Sequence, residues 1–298
     1  MIKYSYKQNN TFTYIFGGSI MDNKILKLKR TANDIRIGAV EAVYNAKSGH
    51  PGGALSSADI FACLYFSELR INPESPKDPD RDRFVLSKGH SCPGLYSALA
   101  HRGYFDVAEL KGFRHLGSFL QGHPDMKGIK GIDMSAGSLG QGFSCACGMA
   151  LAGKIDNKDY RVYTLIGDGE SQEGQIWEAI MFASHYKLDN LCLIIDNNGL
   201  QIDGKVADVM NTMPYESKLE AFGWNVVSID GHDIEAILGA FDNARATKGK
   251  PTAIVAKTIK GKGVSFMENE AGWHGKAPND AEYAQAMAEL NELAKNLK

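Results

Sequence analysis

No apolar run in this 298-residue chain approaches the ~18 residues that a membrane span needs, which argues against a membrane protein. Charge of one sign is also lacking. Lysine plus arginine total 33 and aspartate plus glutamate 35, a formal net charge of −2. Nothing there drives counterion release, so a general nucleic-acid binder is disfavoured. Cysteines are few: Cys63, Cys92, Cys145, Cys147 and Cys192. An odd, scattered set argues against a disulfide framework and for a reducing compartment, the cytoplasm. At helical spacing Cys145 and Cys147 point to nearly opposite faces with no second Cys pair or His nearby, so packing is favoured over a metal. No Pro/Ser-rich linker or internal repeat divides the chain. No Gly-x-Gly-x-x-Gly follows the first strand with an acidic residue about twenty on, which disfavours an NAD enzyme. Hydrophobic residues at 44% and charged residues at 23% exclude disorder and allow one large domain.

At the N-terminus, Lys3 and Lys7 precede an apolar patch from Phe12 to Ile20. Thr11, Thr13, Gly17 and Gly18 dilute it, which disfavours a secretory signal. Residues 1–21 are therefore read as a disordered leader and residues 22–298 as a single domain.

Glycine is abundant: 32 residues, where an average chain of this length carries about 21. Helical periodicity marks 25–46, and Ser56 is expected to start another helix with Asp59 near its positive end. Asp106 is expected to cap a helix with Glu109 three residues later. A small-residue helix is expected over 143–154, and others over 173–186, before Gly223, over 233–247 and over 280–297. Short apolar strands are expected over 83–87, 161–166, 191–195, 225–229 and 252–256. Apolar strands separated by helices predict an α/β fold, an open parallel sheet with helices on both faces. Ligands of such sheets bind beyond the carboxyl ends of the strands, where the glycine clusters fall.

Two of those strand ends carry chemistry. Ile166 runs into Gly167-Asp168-Gly169-Glu170, and about thirty residues after Asp168 stands Asn198, beyond the next strand. A carboxylate and an amide oxygen suit a hard cation such as Mg2+, whose shell phosphates and water complete. Gly169, with no Cβ, lets the backbone approach a phosphate at the start of the following helix. Either motif alone is an ordinary turn. Together, each at the end of a buried strand, they read as a magnesium–diphosphate site.

This pair resembles the diphosphate-binding motif of thiamine diphosphate enzymes, and further motifs narrow the resemblance to transketolases. Ser48-Gly-His-Pro-Gly-Gly53, Ser87-Lys-Gly-His90 and Gly122-His-Pro124 are similar to that family's three histidine loops. Gly137-Ser-Leu-Gly-Gln-Gly142 resembles its glycine-rich cofactor loop, and Trp273-His-Gly-Lys-Ala-Pro278 its last histidine. All stand in family order between residues 48 and 278; Ser138 departs from a common proline. The resemblance implies the thiamine diphosphate-binding fold of a transferase of ketol groups in carbohydrate metabolism, the pentose phosphate pathway. Asp168, Asn198 and the Leu200 carbonyl are expected to hold Mg2+. His90, Gly137, Ser138, Leu139, Gly169, Asn198 and His274 are expected to contact thiamine diphosphate. His50, His123 and His274 are expected to face the donor sugar, a role suited to imidazole near neutral pH. Glu173 and Glu178 match acidic residues that join two active sites across the subunit interface. His101, His115, His185 and His232 lie outside these motifs and are read as ordinary surface or loop histidines.

A complete transketolase is about twice this length, and nothing here resembles its pyrimidine-binding half. The expectation is an N-terminal component acting on sugar phosphates with a separate C-terminal chain, in an α2β2 heterotetramer. Alternatives are the α component of a 2-oxo acid dehydrogenase, which the histidine loops disfavour, and a synthase joining pyruvate to a sugar phosphate. A non-catalytic binding subunit is disfavoured by the intact Asp168, Asn198 and loop histidines.

Overall fold

The computed structural model describes residues 8–297, with side chains from Met21 onward. Of the segment read as a leader, residues 1–7 lie outside the described residues, and the first helix is described from Gln8.

Five parallel strands form the frame: β1 (Arg83–Leu86), β2 (Val162–Gly167), β3 (Leu191–Asn197), β6 (Asn225–Asp230) and β7 (Thr252–Lys257), in spatial order β1-β2-β3-β7-β6. Side chains alternate across a pleated strand, so each central strand feeds two cores. Tyr163, Leu165, Cys192, Ile194, Ile254 and Ala256 face one core, under α1 (Gln8–Ala46), α3 (Ala58–Cys63), α4 (Cys92–Arg102) and α9 (Ile234–Ala246). Val162, Ile166, Leu191, Leu193, Ile195 and Val255 face the other, under α5 (Gln141–Ile155), α6 (Gly174–His185) and α8 (Tyr215–Ala221). A third cluster, with Val40, Leu55, Trp273 and Leu290, seats α10 (Asp280–Asn296) against α1 and the short α2 (Pro51–Ser56). A full capping box, Asn279 with Glu282, starts α10.

The open parallel sheet matches the expected class, with strand bounds within two residues of those read from sequence. Two local expectations, for Ser56 and Asp106, need correction, while Asp59 does stand at a helix's positive end. Ser56 ends α2 rather than starting a helix; its hydroxyl donates to Asp196 Oδ2 at 2.7 Å and makes no cap bond. Asp59 lies in the first turn of α3, where Arg36 and His232 hold it. Asp106 caps a 3-10 turn, Val107–Gly112, instead of an α-helix; only Leu110 of that turn is buried, too little apolar surface to extend it. After β3 comes an unforeseen hairpin, β4 (Leu200–Gln201) with β5 (Gly204–Lys205), and the short α7 (Val206–Val209).

Candidate active site

The site forms where four strands end. Beyond β1 stand Ser87, Lys88 and His90; beyond β2, Asp168 and Gly169; at and beyond β3, Asp196, Asn198 and Leu200; beyond β7, Thr258 and Lys260. Parallel register puts Gly167 beside Asp196, so the two motifs separated by about thirty residues meet. His50 enters from the N-cap of α2, and His274 follows the 3-10 turn Ala271–Trp273. His123, Gly137 and Leu139 come from the long loop before α5. All of these but Ser87 and Thr258 line one cavity of about 430 Å³.

Four imidazoles cluster there. The His50 ring centroid lies 5.2 Å from His90, 5.4 Å from His274 and 6.4 Å from His123; His90 and His274 are 4.9 Å apart. Burial, reinforced by nearby positive charge, favours the neutral ring in each case. It lowers His50 to about 4, with Arg114, His123 and Lys260 adding to the effect. His274 falls to about 3 through burial and then Lys260, whose Nζ is 3.0 Å from His274 Nδ1. Burial and His274 push His90 well below the usual range, and burial and Arg114 lower His123. At neutral pH these rings are uncharged, and the low values make His50 and His274 weak bases that would accept a proton only where a bound group supplies compensating charge. His50 Nδ1 is buried without a hydrogen-bond partner among the described residues, so a ligand group could satisfy it.

On the floor lies a charged network that sequence reasoning did not assign. Lys88 Nζ donates to Asp196 Oδ2 (2.5 Å), Ser57 Oγ (2.7 Å) and the Gly53 carbonyl (3.1 Å). Both charged side chains are almost fully buried. Burial alone would raise Asp196, but Lys88, Thr258 and Ser56 outweigh it and hold the carboxyl below its usual value. Lys260, also buried, drops to about 8 by burial, against the pull of Asp196. Lys88 stands inside a histidine-loop motif. Asp196 ends a buried apolar strand, and Lys260 falls in the glycine-flanked run Ile259-Lys-Gly-Lys-Gly263; those are the signals the sequence offers for them.

Asp168 is 1% exposed. Its Oδ1 accepts from Asn197 Nδ2 (2.8 Å) and Tyr215 Oη (2.9 Å), and Oδ2 from Gly199 N (2.5 Å). Burial raises its pKa despite these donors. Asn198 Oδ1 accepts from Leu200 N at 3.0 Å, a tight turn that Gly199 completes at φ +74° and that presents the Leu200 region to the cavity. Glu170, a further residue the sequence reading passed over, is buried beneath Gly169. It accepts from Ser87 Oγ (2.5 Å), Gly140 N (2.9 Å) and Gly167 N (3.3 Å), tying three loops together, and burial raises it to about 7.

Of the expected site residues, His50, His90, His123, His274, Gly137, Leu139, Asp168, Gly169, Asn198 and Leu200 share the cavity. Ser138 is exposed and outside its lining. Glu173, the N-cap of α6, and Glu178, within that helix, are exposed and also outside it. His232 is a loop histidine with both ring nitrogens engaged: its Nδ1 is 2.7 Å from Asp59 Oδ2, and its Nε2 accepts from Ile259 N. Among the described residues no helix is long and apolar enough to cross a membrane.

Comparison with known proteins accounts for this arrangement. Residues 27–292 match the family model "Transketolase, thiamine diphosphate binding domain". The chain is 46% identical over 272 residues to a 6-deoxy-6-sulfo-D-fructose transketolase subunit of Clostridium sp. (strain MSTE9), covering 91% of this chain and 99% of that protein. It is 42% identical over 278 residues to one subunit of the apulose-4-phosphate transketolase of Phocaeicola vulgatus, covering 93% and 98%. It is 47% identical over 255 residues to the transketolase of Homo sapiens, covering 85% of this chain but 40% of that protein. Among solved structures, the transketolase of Campylobacter jejuni superposes with a TM-score of 0.83 at 34% identity, over 91% of this chain and 45% of that one. The chain thus spans nearly all of the relatives named as subunits and about two fifths of the human enzyme. It belongs to the transketolase family, as the N-terminal, thiamine diphosphate-binding unit.

Proposed function

We propose that this chain holds the magnesium–diphosphate end of thiamine diphosphate and, with a C-terminal subunit, transfers a two-carbon ketol unit from a ketose phosphate to an aldose phosphate. The observation that carries the reading is the convergence in one cavity of the Asp168–Asn198–Leu200 corner and four neutral imidazoles.

The donor chemistry fits Mg2+. One buried carboxylate, a side-chain amide oxygen and a backbone carbonyl are hard oxygen ligands, and a cation would offset the cost of burying Asp168. Among the described residues no three His, Cys, Asp or Glu side chains are arranged so that they alone could hold a metal ion, so phosphate and water oxygens would complete the shell. Gly169 has no Cβ and leaves its backbone open to the diphosphate; Lys260 and His274 supply positive charge and a donor beside it. His90, Gly137 and Leu139 line the rest of the cofactor's path. Ser138, outside the cavity lining, would act there through its backbone. When bound, thiamine diphosphate supplies the electron sink for cleaving and forming the carbon–carbon bond. The protein's own task is to hold the sugar and move its hydroxyl protons. Neutral His50, His123 and His274 are suited to accept those protons and return them. The exposure of Glu173 and Glu178, at the N-cap and in the first half of α6, supports their role at an interface with another subunit, where they would join two active sites.

A partner chain is supported by the subunit names of the relatives that this chain covers almost end to end. An α2β2 assembly in the cytoplasm completes the proposal; five free cysteines accord with a reducing compartment. Calorimetric titration of thiamine diphosphate into the mixed subunits, with and without Mg2+, tests the cofactor reading. Magnesium-dependent saturable binding is expected; binding indifferent to Mg2+ would overturn the metal assignment.

A further inference from the structure

Arg114 has no role in the chemistry above, yet separate observations converge on it. Its backbone φ is +60°, in the left-handed region where an L side chain is strained, and such residues concentrate at functional sites. Its guanidinium reaches two loops: Nη1 donates to Ser48 Oγ at 2.5 Å and Nη2 to the Gly122 carbonyl at 3.3 Å. Ser48 stands two residues before His50, and Gly122 directly before His123. A side chain at position 122 would push on that guanidinium, since a Cβ there would sit 2.9 Å from Arg114 Nε. The same Gly122 carbonyl accepts from Cys92 Sγ at 3.2 Å, two residues beyond His90. The loops carrying three of the four clustered imidazoles therefore meet at one guanidinium and one carbonyl.

We propose that Arg114 is a positioning residue for the sugar-facing histidines: its planar fork clamps the His50 loop to the His123 loop and sets the charge both rings face. This rests on the reading that those imidazoles meet the sugar. Two acceptors in different loops call for a fork; a lysine ammonium is a single point charge on a flexible stem. His50 is faced by Arg114 and Lys260 and by the rings of His90, His123 and His274; His123 is faced by Arg114 and by the His50 ring. Burial does most to keep both rings neutral, and Arg114 is next in each case. The clamp thus serves geometry and protonation together, since a ring that is to take a hydroxyl proton must be both aimed and uncharged.

The test is an NMR titration of the histidine rings in the full chain, with H50Q and H123Q spectra assigning the peaks. In R114M both midpoints should rise by about half a pH unit or more, because one nearby positive charge is gone. R114K keeps the charge but cannot bridge both acceptors. There both midpoints should stay low while amide exchange at Lys47 and Gln121, hydrogen-bonded beside Ser48 and Gly122, speeds up about tenfold. Unchanged midpoints in a folded R114M would overturn the charge role, and wild-type exchange in R114K would overturn the clamp. Should R114M fail to fold, R114K decides alone. With the partner chain present, R114K should lower kcat/KM for the ketose phosphate about tenfold or more while cofactor affinity holds. A wild-type complex inactive on sugar phosphates would overturn the functional reading, and the titration and exchange would still decide the clamp.

Discussion

At the scale of single residues, Asp168 bears the most weight. It is the one carboxylate among the three proposed metal ligands, and neither Asn198 nor the Leu200 carbonyl can supply a negative charge in its place. Asp168→Ala should abolish magnesium-dependent binding of thiamine diphosphate, as calorimetry would show; unchanged affinity would remove the assignment. His50 and His274 differ in kind, because their proposed work is on substrate hydroxyls. His50→Ala and His274→Ala should each cut turnover by about 10²–10⁴-fold, the scale for an acid–base group, with a smaller loss of cofactor affinity. Steady-state rates at saturating cofactor would separate the two effects. The Lys88–Asp196 pair makes a further residue-level prediction. Both partners are buried, so Asp196→Ala leaves an unpaired ammonium inside the protein, at a cost of about 3–5 kcal/mol in denaturant unfolding. A loss within the surface range of about 0.5 kcal/mol would show that the network is open to water.

Legibility in the sequence changes with the element considered. The buried strands are readable because unbroken apolar runs such as Leu191–Ile195 have nowhere to go but the middle of a parallel sheet. The histidine loops are readable because glycine and proline bracket the rings. What stays hidden depends on partners far away in the chain. Ser56 has the composition of a helix cap, but its hydroxyl is claimed by Asp196, 140 residues on. Lys260 and Glu170 read as ordinary charged loop residues, since nothing local reveals their burial. The β4–β5 hairpin is too short to show periodicity.

The strand-end loops share an acid sensitivity. His50, His90, His123 and His274 are all shifted toward the neutral form. Unfolded histidines take up protons below about pH 6.5, whereas the folded His50 and His274 wait until about 4 and 3. The unfolded state then binds more protons, so these groups make stability fall as pH drops through that window. Glu170, raised to about 7, pulls the opposite way between about 7 and its ordinary value near 4.5, and the raised Asp168 pulls with it at lower pH, but these are two groups against four. Urea midpoints of the isolated chain should be lower at pH 5.5 than at 7.5; equal midpoints would mean that the imidazoles are hydrated and titrate normally.

For the molecule as a whole, the sheet presents the proposed diphosphate corner and a set of imidazoles beyond the carboxyl ends of its strands. Ile202 lines that cavity, and it and Met210 are among the exposed large apolar side chains, both close in sequence to the β4–β5 hairpin. In the proposed assembly a second chain covers the ring end of the cofactor there and supplies the group that activates it. Everything therefore turns on ketol transfer from xylulose 5-phosphate to ribose 5-phosphate, assayed with Mg2+ and thiamine diphosphate, for this chain alone and mixed with its C-terminal partner. A two-chain enzyme should show no transfer by this chain alone and a rate that saturates near equal molar amounts of the two. Full activity from this chain by itself would contradict the two-chain reading.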